Sequence, residues 1–253
     1  MDMIDLMPPG CAILSQTDRE RSEESPLHRH PHGEFFVLRS GHLVSATEAA
    51  RLLIPPGQAY WVPPGTPHGG SLRRISGIRL HVSAALARGL CPEVPVAFSA
   101  TPLVEALMGR WAVDASAGLP PRAVDRHMFA VLADEMANRL TQPLLLPMPG
   151  SPVMRRVLAA WSETCDERAS LDLLAERCRM SRRSFTRRFR IETGMSPGTW
   201  MQAARILRGC QLMASGTSIT DTAFMLGFES PASFFNLCRR LTGLNPSALM
   251  RRL

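Results

Sequence analysis

From Gly33 to about Val82 the chain carries short apolar runs, Phe35-Phe36-Val37-Leu38, Leu52-Leu53-Ile54, Ala59-Tyr60-Trp61-Val62 and Ile75 to Val82, separated by glycine and proline clusters. Short strands between turn signals predict an all-β barrel or sandwich. The period then changes. Leu103, Leu107 and Trp111, followed by Val124, Met128, Val131, Leu132, Glu135 and Leu140, recur at helical spacing and predict two helices after the barrel. Residues 143–152 hold four prolines in ten positions and read as an inter-domain linker with no regular element. Beyond it the apolar positions are helical throughout. The expected architecture is α+β and multidomain: a small β-barrel within 1–100, a helical segment over 101–142, a linker at 143–152, and an all-α domain over 153–253.

The all-α part contains an internal repeat with a period of 49 residues, in which Phe185, Gly194, Met195 and Pro197 fall on Phe234, Gly243, Leu244 and Pro246. Two copies of one supersecondary unit are implied. In the first, Leu171, Leu174, Ala175 and Cys178 share a helical face, a turn at Met180-Ser181 interrupts, and Phe185 with Phe189 begins a second face. The second copy repeats this with Ile219, Ala223 and Leu226, a turn at Gly227 to Ser230 that is one residue longer, and Phe234, Cys238 and Leu241. Both are helix, tight turn, helix, at about 171–191 and 218–241. Between them Pro197 to Ala214 reads as one helix with Trp200, Ala204, Leu207 and Leu212 facing inward. Its length of about 27 Å suits two reading heads held near the ~34 Å of one duplex turn.

Charge changes the picture once it is divided by region. The chain has a formal net charge of +7, yet residues 1–152 hold 13 Arg against 14 acidic residues, whereas residues 153–253 hold 16 Arg against 8. The whole excess lies in the C-terminal part, as expected for a polyanion-binding domain; a membrane surface is the rival partner on charge alone. In the first repeat the outward positions are Arg182, Arg183, Ser184, Thr186, Arg187 and Arg190, a dense set of guanidinium donors. No apolar stretch is long enough to span a bilayer, and the opening Met1–Gly10, with Asp2 and Asp5, does not read as a secretory signal. The six cysteines, Cys11, Cys91, Cys165, Cys178, Cys210 and Cys238, lack a CxxC pair and predict a reducing cytoplasmic setting.

The C-terminal residues resemble the AraC/XylS family over about 153–250. The resemblance is carried by Ser-Arg-Arg-Ser-Phe-Thr-Arg-Arg-Phe from Ser181, by Glu192-Thr193-Gly194-Met195-Ser196-Pro197, and by Leu226-Gly227-Phe228-Glu229-Ser230. It implies a transcription factor whose two recognition helices, about Arg182–Ile191 and Pro231–Leu241, enter successive major grooves of double-stranded DNA. By position, Arg183, Thr186 and Arg187 match the family's groove-facing sites in the first helix, and Pro231, Ala232, Ser233 and Asn236 those in the second. Arg182, Arg190 and Arg240 complete the expected DNA-binding set. Two positions depart from the family: Arg179 stands where a Gly is usual in the first turn, and Cys238 replaces a Phe.

The N-terminal part reads His28-x-His30-x-x-x-Glu34 followed by six residues and Gly41, then Gly57, five residues, Pro63, Gly65 and His68. This resembles both motifs of the cupin family and implies a cupin barrel over about 20–85, with Leu72 where the second motif usually ends in Asn. The matching residues His28, His30, Glu34 and His68 form a donor set suited to zinc, nickel, iron, copper or manganese. Strand alternation is expected to place His28 and His30 on one face, with His32 as a substitute or supporting ligand. The alternative is that the same side chains hydrogen-bond an organic effector. His42, His81 and His127 have no matching partners and are expected to be ordinary surface or core residues. Together the resemblances imply a regulator, an activator for instance, controlled by a small molecule or metal ion in the barrel. They also imply a homodimer formed through the helices at about 101–140, with RNA polymerase as a further partner and no membrane partner. A cupin metalloenzyme of dioxygenase or isomerase type, fused to a DNA-binding domain, is the competing class; a thiol-based redox sensor is a third.

Overall fold

The structure, a computed structural model, describes residues 13–116, 123–138, 144–166 and 170–251. Cys11, Leu140, Pro143 and the opening Met1–Gly10 lie outside these residues. In chain order the strands are β1 (Ile13–His28), β2 (Gly33–Thr47), β3 (Ala50–Ile54), β4 (Gln58–Val62), β5 (His68–Val82), β6 (Val96–Ser99) and β7 (Leu144–Pro147). The helices are α1 (Ala84–Ala87), α2 (Pro102–Ser116), α3 (Ala123–Asn138), α4 (Pro152–Thr164), α5 (Leu171–Arg177), α6 (Arg182–Thr193), α7 (Pro197–Ala214), α8 (Ile219–Met225), α9 (Pro231–Thr242) and α10 (Pro246–Arg251). The chain divides into two compact units, one of Met1–Thr47 with Ile54–Pro143, the other of Glu48–Leu53 with Leu144–Arg251.

In the first unit the antiparallel pairings run β1-β5-β2-β4-β6. The apolar runs are continuous because both faces of this sheet are covered. Phe35 and Val37 join Trp61, Ile78, Leu80 and Phe98 in a core closed by Val104, Met108 and Trp111 of α2 and Phe129, Leu132 and Met136 of α3. Phe36 and Leu38, on the opposite face of β2, pack with Leu72 and Ile75 inside the barrel. The indole N–H of Trp111 donates to Asp125 Oδ1 at 3.2 Å and fixes α2 on α3. Gly33 opens β2 because a Cβ there would lie 2.0 Å from the Trp61 ring. The longest strand, β1, was absent from the apolar pattern: its residues alternate weakly and are largely polar. It pairs with β5 from Ile13↔Val82 to His28↔His68, which brings two predicted ligands side by side.

The second unit repeats one local design. Ser170, Ser181, Ser196, Ser218 and Ser230 each cap a helix by accepting the N–H three residues on, from Leu173, Ser184, Thr199, Asp221 and Ser233. Each such cap contributes about 1 kcal/mol. Gly194 and Gly243 end α6 and α9 in the left-handed region, at φ 71° and 73°. Phe185, Phe189 and Trp200 are fully buried, and Phe189 meets Trp200 edge-on at 5.8 Å. Arg179 adopts φ +56° where the second copy has Gly227 at φ +75°. The first turn therefore has the same left-handed backbone as the second and carries the strain of a side chain in that region, about 1–2 kcal/mol.

The linker expectation is corrected. Leu144–Pro147 is a strand, paired with β3 in the register Ala50↔Pro147, Arg51↔Leu146, Leu52↔Leu145 and Leu53↔Leu144. The indole of Trp200 donates to Pro147 O at 2.6 Å. Arg51 reaches Glu163 Oε1 at 2.7 Å and Ser162 Oγ at 2.9 Å on α4. The prolines sit where they cost nothing: Pro147 closes its strand and Pro152 opens α4 at the first turn. No helix among the described residues is long and apolar enough to cross a membrane.

Candidate functional site

The charged face of the second unit is built by α6 and α9. Phe185 and Phe189 turn inward, which leaves Arg182, Arg183, Arg187 and Arg190 exposed and Thr186 half-buried on the other side, around a shallow open depression that also includes Ile191. Arg182 is held by Asp172 at 2.9 Å and Arg188 by Glu192 at 2.6 Å. Arg183, Arg187 and Arg190 have no such ion pair among the described residues, so their donors are available. On α9 Phe234, Leu237 and Cys238 are buried, Pro231 is half-buried, and Ala232, Ser233, Asn236, Arg239 and Arg240 are exposed. Arg240 donates to Gln202 Oε1 at 2.9 Å, and the Ser233 hydroxyl is paired with Ser230 at 3.1 Å. The two faces differ in chemistry. α6 offers planar guanidinium forks suited to guanine and phosphate, whereas the middle of α9 offers the amide of Asn236, suited to adenine. Glu192, which the sequence offers only as part of the family motif, also accepts the Ser151 N–H at 2.9 Å and so ties the end of α6 to the start of α4.

Inside the barrel, a cavity of about 310 Å³ has the predicted metal ligands in its wall. His28 ends β1, but His30 lies in the connection to β2 and not on the same strand, which corrects the alternation argument. The pair converges nonetheless: one ring nitrogen each from His28, His30 and His68 lies within 4.8 Å of the others. Each ring is anchored through Nδ1, to Pro26 O at 2.9 Å, His32 O at 2.6 Å and Thr66 O at 2.8 Å. A carbonyl accepts, so Nδ1 of each ring carries a proton and Nε2 is the atom left to meet a cation, a proton or a metal ion. Glu34 Oε2 stands 3.2 Å from His30 Nε2 and 3.7 Å from His68 Nε2, while Oε1 faces Arg79 Nε at 3.2 Å. Burial would raise the Glu34 carboxyl, but Arg79, His30 and His68 outweigh it and hold it well below the usual range.

His32 and His81 belong to the same cluster, contrary to the expectation that His81 stands apart. His32 stacks on His30 at 4.0 Å and meets His81 edge-on at 4.9 Å, and both are buried. Burial pushes the His81 imidazole down, toward its neutral form. His127 is exposed on α3, as an ordinary surface residue. Behind the imidazoles runs a chain of charges that the motifs do not include: Arg79 pairs with buried Asp18 at 3.2 Å, Asp18 with Arg21 at 3.1 Å, and Arg21 with Glu23 at the pocket mouth. Arg79 also lies over the Phe36 ring at 5.3 Å.

Each unit matches a known domain. The profile of a helix-turn-helix domain matches residues 174–252 and that of a cupin domain residues 18–73. The HTH-type transcriptional regulator NimR of Escherichia coli is 24% identical over 232 residues, 90% of this chain and 83% of its own length. The two matches place an AraC-type helix-turn-helix domain after a cupin domain in this chain. Its DNA-binding domain is of the AraC type and its N-terminal domain is a cupin. A further match, the HTH-type transcriptional regulator RipA of Corynebacterium glutamicum, is 32% identical over 101 residues, 40% of this chain and 30% of its own length. The DNA-binding domain of AdpA, solved in complex with a target DNA, is 35% identical over 40% of this chain and 92% of its own, with a TM-score of 0.37. Burial raises the thiols of Cys91 and Cys165 to about 12 and that of Cys210 well above its ordinary value. Such thiols are poor nucleophiles.

Proposed function

We propose that this AraC-type regulator reads DNA with α6 and α9 in successive major grooves and is controlled by a divalent metal held at His28, His30 and His68, with Glu34 closing the set. For the DNA face the supporting observation is the trio Arg183, Arg187 and Arg190, exposed and without ion pairs among the described residues. Arg187 sits mid-helix and reads a base; Arg190, nearer the end, touches phosphate. Arg187→Ala is expected to cost about 1–3 kcal/mol on the specific site and to relax preference at one base position. Arg190→Ala should weaken specific and random DNA alike. Equal losses on both DNAs for Arg187→Ala, measured by anisotropy titration, would reverse that assignment.

For the pocket the supporting observation is that His30 Nε2 faces a carboxylate oxygen at 3.2 Å while its Nδ1 is engaged by a carbonyl. A lone pair and a carboxylate oxygen at that distance repel unless a cation stands between them, either a proton on Nε2 or a metal ion. A bound metal would supply a charge and a fixed geometry; the protein supplies Nε2 ligand atoms on rings locked by their carbonyls. His30→Ala and His68→Ala are each expected to remove most of the bound metal, read as metal per protein after dialysis. Both should leave helix content unchanged. Since protons compete for the same nitrogens, retention should fall on acidification. Full retention in His68→Ala would leave hydrogen bonding to an organic effector as the role of these residues.

The role is sensing or structure and not turnover, because the pocket shares its chain with a complete DNA-binding domain. Oxygen uptake by metal-loaded protein on supplied organic acids would restore the enzyme reading. Leu103 and Val113 on α2 and Val124 and Val131 on α3 are exposed apolar residues, and they support a homodimer formed through these helices in the cytoplasm.

A further inference from the structure

The two helices on the charged face are copies of one unit, yet they present different atoms to a groove. At ~100° of turn per residue, Arg183, Arg187 and Arg190 of α6 fall within an arc of ~60°, opposite the buried Phe185 and Phe189. The repeat of 49 residues sets Ala232, Asn236 and Arg239 at the same three places on α9. All three are exposed, opposite the buried Phe234, Leu237 and Cys238. The polar groups to either side are already engaged. The Ser233 hydroxyl is paired with the capping Ser230 at 3.1 Å, and Arg240 donates to Gln202 Oε1 at 2.9 Å. The side chains of Asn236 and Arg239 meet no protein partner among the described residues.

The chemistry of the two arcs selects different bases. A guanidinium only donates, so α6 fits guanine, whose groove-facing O6 and N7 only accept. An amide carries one group of each kind. Asn236 can donate to adenine N7 and accept from the adenine N6 amino group, whereas against guanine its oxygen would face O6, acceptor to acceptor. Ala232, one turn nearer the start of α9 and so about 6 Å along the axis, offers only a methyl, whose match in the major groove is the C5 methyl of thymine. Pro231–Cys238 holds no charged side chain, so this stretch has only base edges to recognise. Arg239 follows as the charge nearest the end of the arc, where Arg190 stands on α6.

We propose that α9 reads A·T pairs, adenine through Asn236 and the methyl of a neighbouring thymine through Ala232, with Arg239 as its phosphate anchor, so that the DNA site is unequal: guanine-bearing under α6, A·T under α9. This rests on α6 and α9 being the helices that enter the groove. A site built this way fixes which way round the domain lies on the duplex.

The test uses the full chain and its own promoter fragment, copied with one base analogue at a time. 7-Deazaadenine and 7-deazaguanine each lose the groove-facing N7, and uracil in place of thymine loses the methyl; base pairing is kept in all three. The wild type is expected to bind the 7-deazaadenine fragment about three- to tenfold more weakly, for the loss of one hydrogen bond. The uracil fragment should bind about two- to fourfold more weakly, for the loss of one buried methyl. Asn236→Ala should become indifferent to 7-deazaadenine while keeping its response to 7-deazaguanine; Arg187→Ala should show the converse. Ala232→Gly should lose the response to uracil. Arg239→Ala should weaken promoter and random DNA alike and make the slope of log K on log salt shallower by about 1, with the three analogue responses intact. Asn236→Ala as sensitive to 7-deazaadenine as the wild type would overturn the proposal, as would an unchanged salt slope in Arg239→Ala. The wild-type titrations depend on no variant folding: a wild type that prefers its promoter to random DNA yet ignores 7-deazaadenine overturns the assignment of α9 and leaves α6 as a reader. A wild type without any preference for its promoter would sink the reading of both helices, and this inference with it.

Discussion

Raising salt from 50 to 200 mM should weaken binding of the full chain to its own promoter DNA by about a thousandfold. The domain over 153–253 carries 16 Arg against 8 acids, and its exposed arginines on α6 and α9 lie on the face opposite the buried Phe185, Phe189 and Phe234. If about six phosphates are neutralised, counterion release gives a slope of log K on log salt near −5. Anisotropy titrations at four salt concentrations measure that slope. A value shallower than about −2 would mean that the arginines do not meet the phosphates together. The acidic balance of the first 152 residues predicts that the slope belongs to the second unit alone.

Phe234→Ala should remove about 3–5 kcal/mol, a large part of the stability of a unit this size. The ring is fully buried, stacks edge-on with Phe228 at 5.4 Å, and packs so closely on α7 that a Cβ added at Gly209 would lie 2.9 Å from it. On the α7 side Gly209 has no side chain to turn into the space, so part of the cavity stays open. Phe185→Ala, 49 positions earlier in the repeat, should cost a similar amount. Urea unfolding followed by circular dichroism gives both values. A loss under about 1 kcal/mol at either site would show that the helix-turn-helix core is looser than its geometry.

What could be read from sequence follows the range of the interactions. The helices of the second unit were legible because their signals are local: a serine cap, an apolar stripe, and a terminal glycine, each within a few residues. The cupin ligands were legible as spacing, but not their manner of convergence. His30 reaches its partners from a connection, held by a hydrogen bond to His32 O that no periodicity encodes. His81 and Arg79 joined the site because β5 pairs with β2 in the register Glu34↔His81 and Phe36↔Arg79. β1 escaped notice because its burial depends on β5, 40 or more residues away, while its own sequence is polar. Proline density at 143–152 misled for a simple reason. It marks the ends of elements as readily as their absence.

The pairing of β3 with β7 sets a condition on how this protein can be taken apart. Glu48–Leu53 is translated inside the cupin sequence but belongs to the DNA-binding unit, where Arg51 pairs with Glu163 and the strand backs the one that accepts the Trp200 indole. A chimera that grafts residues 153–253 onto a foreign sensor would leave both strands behind. It would strand the N–H of a buried tryptophan without its acceptor, a loss of about 1–3 kcal/mol, and would leave Glu163 without its arginine. The two halves are therefore not interchangeable cassettes, and an exchange between relatives succeeds only where the recipient supplies an equivalent strand from its own sensor.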